Sequence, residues 1–358
     1  MNTPPVRIGI VGTTWYAETH LKNIAAHDGA VLSAVTGRDQ EKAREVAARY
    51  GAAEVYADYR DMIASGNIDA IVIVAPDELH APIALAAFDA GVHVLCEKPL
   101  ASTSTEAEAM YRAAEASGLQ HMSFFALRTS PHHRYLKELI DDGYLGRVYS
   151  AEFSLTHGFF RSGDYQWRFD ARRGTGALGD LGCYVFDLAR WYIGEISAIS
   201  ASTQSNVDRP APDGEEYPSA NDTAVASLEF TNGALATMLV SVTAHQADRL
   251  QTNTIRLHGE GGTLELDHTF AGAALRGARA GETSFSELPL PSHLAGEAGD
   301  PAAAPARPVG DGAFVDAIRG LSPLEPSFFD GWRVQQVIEA ALASAETKSW
   351  TTIEEARR

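Results

Sequence analysis

Two different patterns along this 358-residue chain predict an α/β fold class with two unlike domains. Short apolar runs alternate with helical segments as far as residue 125, which is typical of a doubly wound, mostly parallel sheet. Beyond that point, alternating strands follow one another directly, with hairpin signals at residues 231–233 and 259–262. We therefore predict a parallel-sheet domain over 1–125 and an α+β domain with a mostly antiparallel sheet over 126–358.

In the first domain each predicted strand is a short apolar run, and the helices have recognisable ends, such as Gly51 after the second one. Strands are predicted over 6–11, 31–36, 69–75, 92–96 and 121–125, and helices over 16–27, 39–50, 81–90 and 104–117.

In the second domain the strands are predicted over 148–155, 224–230, 235–242, 254–257 and 263–266, and the helices over 131–142, 179–192 and 330–346. Two segments read as surface loops because they are rich in turn-forming residues: 205–219 and 289–312.

Composition argues against several classes of protein. The chain has 29 Lys and Arg against 47 Asp and Glu, and the net charge of −18 would repel a nucleic acid backbone. No apolar run approaches the roughly 20 residues that cross a bilayer, and no signal-peptide pattern is present, so we expect a cytoplasmic protein with no membrane partner. Cys96 and Cys183 lack zinc-ligand spacing, which predicts buried thiols and no metal site.

The segment 93–99 places a lysine at the end of a predicted strand. Its apolar run ends in Glu97, Lys98 and Pro99, and proline cannot donate to a sheet ladder. In open α/β sheets, ligands bind at the carboxyl ends of the strands. Lys98 is therefore a candidate ligand-binding residue.

The junction between the first strand and the first helix matches the dinucleotide-binding pattern G-x-G-x-x-(G/A), except for a threonine at the second glycine. The hydroxyl of that threonine would lie beside a helix N-terminus, where anions are favoured. An ordinary tight turn is the alternative. The candidate cofactor-binding residues of this loop are Gly12, Thr13, Thr14, Trp15, Tyr16 and Ala17.

The end of the second strand bears on the choice between the two nicotinamide cofactors. A carboxylate about 20 residues beyond the loop binds the ribose of NAD, whereas an arginine there accommodates the 2′-phosphate of NADP. Here Gly37 is followed by Arg38, the carboxylate of Asp39 comes one residue late, and Lys42 lies one helical turn beyond Arg38. We favour NADP(H), with NAD(H) possible. A solvated basic helix start is the alternative that needs no ligand.

A polar stripe is predicted on the otherwise apolar helix 179–192. Asp180, Tyr184 and Asp187 recur at helical spacing after a glycine-rich segment. Hydrogen bonding within the core, or an exposed face, would also account for such a stripe. The preceding glycines favour a helix start that makes a close contact.

These motifs together resemble the Gfo/Idh/MocA oxidoreductase family over nearly the whole chain. The resemblance is carried by the glycine loop and by segments 76–80, 91–99, 167–168, 176–187, 314–319 and 326–331. It implies an N-terminal Rossmann domain and a C-terminal open-faced sheet for substrate binding and oligomerisation. It also implies an NAD(P)-dependent dehydrogenase or reductase that acts on a hydroxyl or carbonyl carbon of a sugar, a polyol or a related small molecule.

The resemblance implies catalytic residues as well. Lys98 matches the family's active-site lysine, and Asp180 and Asp187 match the acids of its Asp-x-Gly-x-His-x-x-Asp pattern. Tyr184 replaces the usual histidine, as it does in relatives that resemble glucose-fructose oxidoreductase. We expect Tyr184 to exchange a proton with the substrate while Lys98 lowers its pKa from the usual value near 10 and Asp180 orients the substrate. Alternatively, Lys98 itself transfers the proton.

Further contacts follow from the same resemblance. Cofactor contacts are also expected from Ala75, Pro76, Asp77, His80, Glu97, Lys98, Trp167 and Arg168. Substrate contacts are expected from Lys98, Arg128, Asp164, Asp180 and Tyr184. A homodimer or homotetramer is the expected assembly, and a non-catalytic dinucleotide or sugar sensor of the same fold is the alternative function.

Overall fold

The computed structural model describes residues 4–295 and 309–356. The chain divides into two compact units, the first formed by Met1–Ala126 and Arg307–Trp332 and the second by Leu127–Ala306 and Arg333–Arg358. The prediction was of two domains that are each continuous in sequence. The structure differs from it, because the late segment Arg307–Trp332 belongs to the first unit. The cause of this difference is the burial of Phe314 and Val315 in the hydrophobic core of the first unit.

The strands form two sheets, one in each unit. In chain order they are β1 (Val6–Val11), β2 (Ala30–Thr36), β3 (Glu54–Tyr56), β4 (Ala70–Ile73), β5 (His93–Glu97), β6 (His121–Phe124), β7 (Val148–His157), β8 (Ile196–Gln204), β9 (Thr223–Phe230), β10 (Leu235–Ser241), β11 (Gln251–Gly259), β12 (Gly262–Thr269), β13 (Gly272–Arg279), β14 (Ser286–Glu287) and β15 (Thr351–Thr352).

The helices are α1 (Ala17–Ala25), α2 (Gln40–Tyr50), α3 (Tyr59–Ala64), α4 (His80–Asp89), α5 (Ser104–Ser117), α6 (Pro131–Asp141), α7 (Cys183–Tyr192), α8 (Ser292–Ala295), α9 (Asp311–Ile318) and α10 (Phe328–Thr347). A π-helical turn, Leu178–Gly182, leads directly into α7. Among the described residues, no helix has the length and apolar composition needed to cross a membrane.

The sheet of the first unit is parallel throughout, in the order β3-β2-β1-β4-β5-β6. The chain builds outward from β1 on one side and from β4 on the other, so the strand order reverses between these two strands. Ligands of such sheets bind beyond the carboxyl ends of the strands at this reversal. The loops after β1, β2, β4 and β5 are therefore the ones that position a site.

The sheet of the second unit has nine strands in the order β14-β13-β12-β11-β7-β10-β9-β8-β15. Only the pair β7–β10 is parallel among its named neighbours, and the others are antiparallel. Burial alternates along β9 and β10, so one face of the sheet is covered and the other is open. The predicted fold class, a Rossmann domain plus a domain with an open-faced sheet, is confirmed.

Several elements were absent from the prediction: β3, α3, β8 and β13 to β15. The predicted loop 289–312 is only partly a loop, because α8 and the start of α9 fall within it, and its residues 296–308 lie outside the described residues. Both cysteines are buried free thiols, as predicted.

Candidate functional site

The glycine loop between β1 and α1 depends on one residue without a side chain. Gly12 has φ +111°, and a Cβ atom at this position would lie 2.0 Å from the backbone oxygen of Val74. Only glycine allows the loop to pass so close to the neighbouring strand. Thr14 and Trp15 are exposed, and 81% of the Trp15 surface is open to solvent. The loop therefore offers an open surface at the N-terminus of α1, the end of a helix that favours phosphate groups.

The turn after β2 lies beside this loop, because a Cβ atom at Gly37 would come within 3.0 Å of the Thr13 side chain. Asp39 is the N-cap of α2, and its Oδ1 accepts hydrogen bonds from the backbone N–H groups of Glu41 and Lys42, both at 3.1 Å. Its carboxylate is thus engaged by the helix start. Arg38 and Lys42 are exposed. Neither forms an ion pair within residues 4–295 and 309–356.

The loop after β4 is held by a buried histidine. Ala75, Pro76 and Asp77 are partly exposed, whereas His80 is fully buried. Its Nε2 lies 2.9 Å from the backbone oxygen of Ala75 and its Nδ1 lies 3.0 Å from that of Pro99. Burial lowers the pKa of His80. The sequence assigned His80 to direct cofactor contact, but its burial between two loops makes it a residue that positions them.

The end of β5 combines buried neighbours with a partly exposed lysine. The strand stops at Glu97, as predicted, and Lys98 is partly exposed. Glu97 is 5% exposed, and its Oε1 accepts a hydrogen bond from His20 Nε2 at 2.9 Å. The other ring nitrogen of His20 lies 2.7 Å from Asp311 Oδ1. Glu97, which the sequence assigned to cofactor contact, therefore points its carboxylate into the protein.

His20 is held as a cation by this environment. Its side chain has no exposed surface. Burial alone would lower its pKa, but the charges of Asp311 and Glu97 and their hydrogen bonds raise the pKa of His20 to about 10. No sequence motif points to this residue. The available signal was a histidine on the buried face of α1, next to Leu21 and Ile24.

In the second unit, a tightly packed loop leads to Asp180. Gly176 has φ +65°, and a Cβ atom on it would lie 2.0 Å from the backbone oxygen of Asn221. The Asn221 side chain accepts a hydrogen bond from the backbone N–H of Leu178 at 3.1 Å and donates one to the backbone oxygen of Thr175 at 2.9 Å. Asp180 follows within the π-helical turn. Such turns are frequent at functional sites.

Each carboxylate oxygen of Asp180 has a basic group near it. His157 Nε2 lies 3.6 Å from Oδ2, and Arg168 Nε lies 3.7 Å from Oδ1. The guanidinium of Arg168 also lies over the rings of Trp167 and Phe160, 5.1 Å from each centroid. Arg168, expected at the cofactor, is thus placed against the candidate catalytic acid.

No sequence motif points to His157 either. It ends β7, two residues beyond the predicted strand, and it is buried. Its Nδ1 accepts a hydrogen bond from the backbone N–H of Phe159 at 3.3 Å, which leaves Nε2, the nitrogen nearer Asp180, as the donor of the ring. The signal was the strand's own alternation, since Phe153, Leu155 and His157 share the buried face.

The remaining candidates of the second unit have different surroundings. Tyr184 is the second residue of α7, directly after the π-helical turn, and is 9% exposed. Arg128 is buried and donates to Asp187 from Nε at 2.8 Å and from Nη2 at 2.6 Å. That pairing occupies the guanidinium expected to bind substrate. Asp164 is exposed and accepts a hydrogen bond from Ser162 Oγ at 2.6 Å.

The predicted site residues are therefore divided between the units: Lys98 and the cofactor loops belong to the first, and Asp180, Tyr184 and Arg168 to the second. The first unit has the features of a dinucleotide-binding site. These are the open loop at Gly12, the N-terminus of α1 and the exposed cations after β2. A carboxylate between two basic groups, with a tyrosine on the following helix, can hold a polar substrate and exchange protons.

Comparison with known proteins agrees with both halves of this description. Residues 6–125 match the model of an oxidoreductase family with an NAD-binding Rossmann fold, and residues 133–265 match the GFO/IDH/MocA C-terminal domain. A levoglucosan dehydrogenase from Pseudarthrobacter phenanthrenivorans is 30% identical over 97% of this chain and 98% of its own length. A scyllo-inositol 2-dehydrogenase (NADP(+)) from Bacillus subtilis is 35% identical over 50% of this chain and 56% of its own length.

Solved structures give the same result. A levoglucosan dehydrogenase in complex with NADH and L-sorbose superposes with a TM-score of 0.88 at 28% identity, covering 99% of this chain and 100% of that one. The full-length match includes both sheets. The chain belongs to the Gfo/Idh/MocA family of NAD(P)-dependent oxidoreductases.

Proposed function

We propose that this protein transfers a hydride between a nicotinamide cofactor and a hydroxyl or carbonyl carbon of a sugar or polyol. The observation that carries the proposal is the set of groups around Asp180, a partly buried carboxylate flanked by His157 and Arg168. Polar groups of both charge signs suit a substrate with several hydroxyls. Relatives that act on levoglucosan, scyllo-inositol and D-xylose support the same substrate class.

The bound nicotinamide would supply or accept the hydride, and the chain would manage the proton. In the proposal, Tyr184 Oη donates a proton to the substrate oxygen during reduction and accepts it during oxidation. The Lys98 ammonium binds the same oxygen and favours the phenolate of Tyr184. Asp180 accepts hydrogen bonds from substrate hydroxyls and orients the reacting carbon.

The test compares two tyrosines of the same helix. Tyr184→Phe should lower kcat about a hundredfold or more, which is the contribution of a general acid–base step. Tyr192→Phe is the control, because the Tyr192 hydroxyl contacts the buried His133 at 2.9 Å and would affect only the packing of α7. If Tyr184→Phe keeps wild-type turnover on a panel of sugars and polyols, then Lys98 becomes the proton-transfer candidate.

We propose NADP(H) as the preferred cofactor. The Asp39 carboxylate is engaged at the start of α2, whereas Arg38 and Lys42 are exposed cations beside the glycine loop. A 2′-phosphate suits two cations better than a ribose hydroxyl does. The relatives are divided on this point, since those named for scyllo-inositol and D-xylose use NADP(+), and the solved levoglucosan dehydrogenase complexes contain NADH.

The cofactor proposal is tested by binding alone. Arg38→Ala should raise the Kd of NADPH about tenfold, which corresponds to the loss of one charge-assisted hydrogen bond. The Kd of NADH should change by less than about threefold. Arg44→Ala, an exposed arginine on α2 about half a turn away from Lys42, is the matched control. Equal losses for both cofactors would contradict the assignment.

We also propose that the open face of the nine-stranded sheet pairs with a second copy of the chain. It forms a shallow groove of about 570 Å³ and exposes Val225, Leu235 and Leu239. Exposed apolar side chains on a sheet face are typical of an interface. Light scattering should show a dimer or tetramer for the wild type and a smaller species for Leu239→Lys. An unchanged mass would contradict this use of the face.

A further inference from the structure

A chain of buried polar groups runs through the first unit to the backbone of Lys98. Asp311 on α9, His20 on α1 and Glu97 at the end of β5 are 2%, 0% and 5% exposed. His20 donates from Nδ1 to Asp311 at 2.7 Å and from Nε2 to Glu97 at 2.9 Å. Asn23 donates to the second oxygen of Asp311 at 2.8 Å. The three ionisable groups belong to elements far apart in sequence.

Three buried charges need not make the fold more stable than apolar residues of similar volume would make it. Buried ion pairs can often be replaced by apolar residues of similar volume without loss, because desolvation offsets their attraction. The cluster therefore calls for another explanation. Glu97 supplies one, since its Oε2 accepts a hydrogen bond from the backbone N–H of Lys98 at 3.1 Å.

The cluster also reaches the glycine loop. His20 lies one turn into α1, and its ring meets the ring of Tyr16 edge to face, with centroids 6.4 Å apart. One buried side chain thus touches both the segment proposed to hold the cofactor phosphates and the strand end that carries the lysine.

We propose that His20 and Asp311 are positioning residues, which hold the Glu97 carboxylate so that it fixes the backbone of Lys98. This role rests on the proposed function only in the use of Lys98 for catalysis. Two carboxylates on opposite sides of one imidazolium define a single ring orientation. The second oxygen of Glu97 is then aimed at the N–H of Lys98. Loss of the cation leaves the two carboxylates without a common donor, so the strand end shifts.

The test uses donors and acceptors that can be exchanged in pairs. In His20→Gln the single amide donates to one carboxylate and presents its oxygen to the other, which repels it. In the double variant His20→Gln/Glu97→Gln every donor of the cluster again faces an acceptor. The new amide at position 97 accepts from the Lys98 N–H and donates to the amide oxygen at position 20, and the amide nitrogen at position 20 donates to Asp311.

In His20→Gln we expect kcat to fall at least about tenfold while the Kd of the cofactor changes less than about threefold. In the double variant kcat should recover at least half of that loss on a logarithmic scale. His27→Gln is the matched control. Its Nε2 lies 3.4 Å from Asp316 on α9, so it is also a His–Asp pair to α9, but it does not contact Glu97. The control should keep wild-type kcat.

A second measurement is independent of turnover. The chain has five lysines, so labelling lysine nitrogen gives five backbone amide signals in an NMR spectrum. Lys98→Arg removes and thereby assigns one of them. The Lys98 signal should move in His20→Gln, stay in place in His27→Gln and return in the double variant. A Lys98 signal unaffected by His20→Gln, or a double variant no better than the single one, would overturn the proposal.

If His20→Gln does not fold, Asp311→Asn provides the milder variant, because the pair between His20 and Glu97 remains. It should move the same amide signal in a folded protein, and an unmoved signal would equally overturn the positioning role. Failure of the proposed function is recognised separately. Lys98→Met would then keep its turnover, whatever the amide signal shows.

Discussion

The charge on His20 makes the stability of the protein depend on pH in a range where most proteins change little. A histidine has a pKa of 6.5 when unfolded, and that of His20 is about 10 in the folded chain. Because the folded value is the higher one, the protonated ring stabilises the fold. This stabilisation is complete below pH 6.5 and is lost as the pH rises through about 10.

The linkage relation gives the size of the effect. The raised pKa contributes about 3 kcal/mol at pH ~7.5 and about 1 kcal/mol at pH ~9.5. The wild type should therefore lose about 2 to 3 kcal/mol of unfolding free energy over this range through His20. Burial also raises the pKa of Cys96 well above its usual value, which adds a loss at alkaline pH. That second loss is common to the wild type and to His20→Gln.

The assay is urea unfolding of the wild type and His20→Gln, followed by circular dichroism at both pH values. The difference between the two proteins reports on His20 and the two carboxylates it contacts, since groups away from this cluster titrate alike in both. We expect this difference to shrink by about 2 to 3 kcal/mol between pH ~7.5 and pH ~9.5. A difference that is the same at both pH values would refute the assignment of a buried imidazolium.

Three further substitutions probe the loops and the buried ion pair. Gly12→Ala would place a methyl group against the backbone oxygen of Val74. It should weaken the binding of NADPH at least about tenfold in a fluorescence titration, and an unchanged Kd would contradict the close approach. Gly176→Ala would clash with Asn221 and should lower both kcat and the melting temperature, so a variant with wild-type values would disprove the tight loop. Arg128→Met should cost about 3–5 kcal/mol of unfolding free energy, because the buried Asp187 carboxylate loses both hydrogen bonds from the Arg128 guanidinium. The double variant Arg128→Met/Asp187→Leu should recover most of that loss, and a single-variant cost near zero would rule out a buried pair.

Local signals in the sequence were enough to predict much of the first unit. The helix α5 has its predicted bounds because Thr103 and Glu106 form a capping box and Gly118 ends the helix in the left-handed conformation. β1 also has its predicted bounds. Elements without such signals were missed: β13 consists mostly of glycine, alanine and arginine, and becomes a strand by pairing with β12. Pairing across a sheet overrides weak strand propensity.

The candidate site was predictable where a motif lies in one stretch of chain, as at Lys98 and Asp180. It was not predictable where a contact joins distant segments. His20 and Asp311 are separated by 291 positions, and the second of them lay in a segment predicted as a loop. His157 reaches Asp180 only because β7 continues two residues beyond its predicted end.

The π-helical turn Leu178–Gly182 has one further consequence. It contains one residue more than an ordinary helical turn would need, so a single deletion within it would leave a continuous α-helix with better backbone geometry. Each residue advances a helix by about 100°, so that deletion would rotate Asp180 away from Tyr184 and its basic neighbours by the same angle. A chain shortened in this way would keep a helix here but would move the carboxylate that we propose binds the substrate hydroxyls. The extra residue therefore matters for the placement of Asp180 and not for the continuity of the helix.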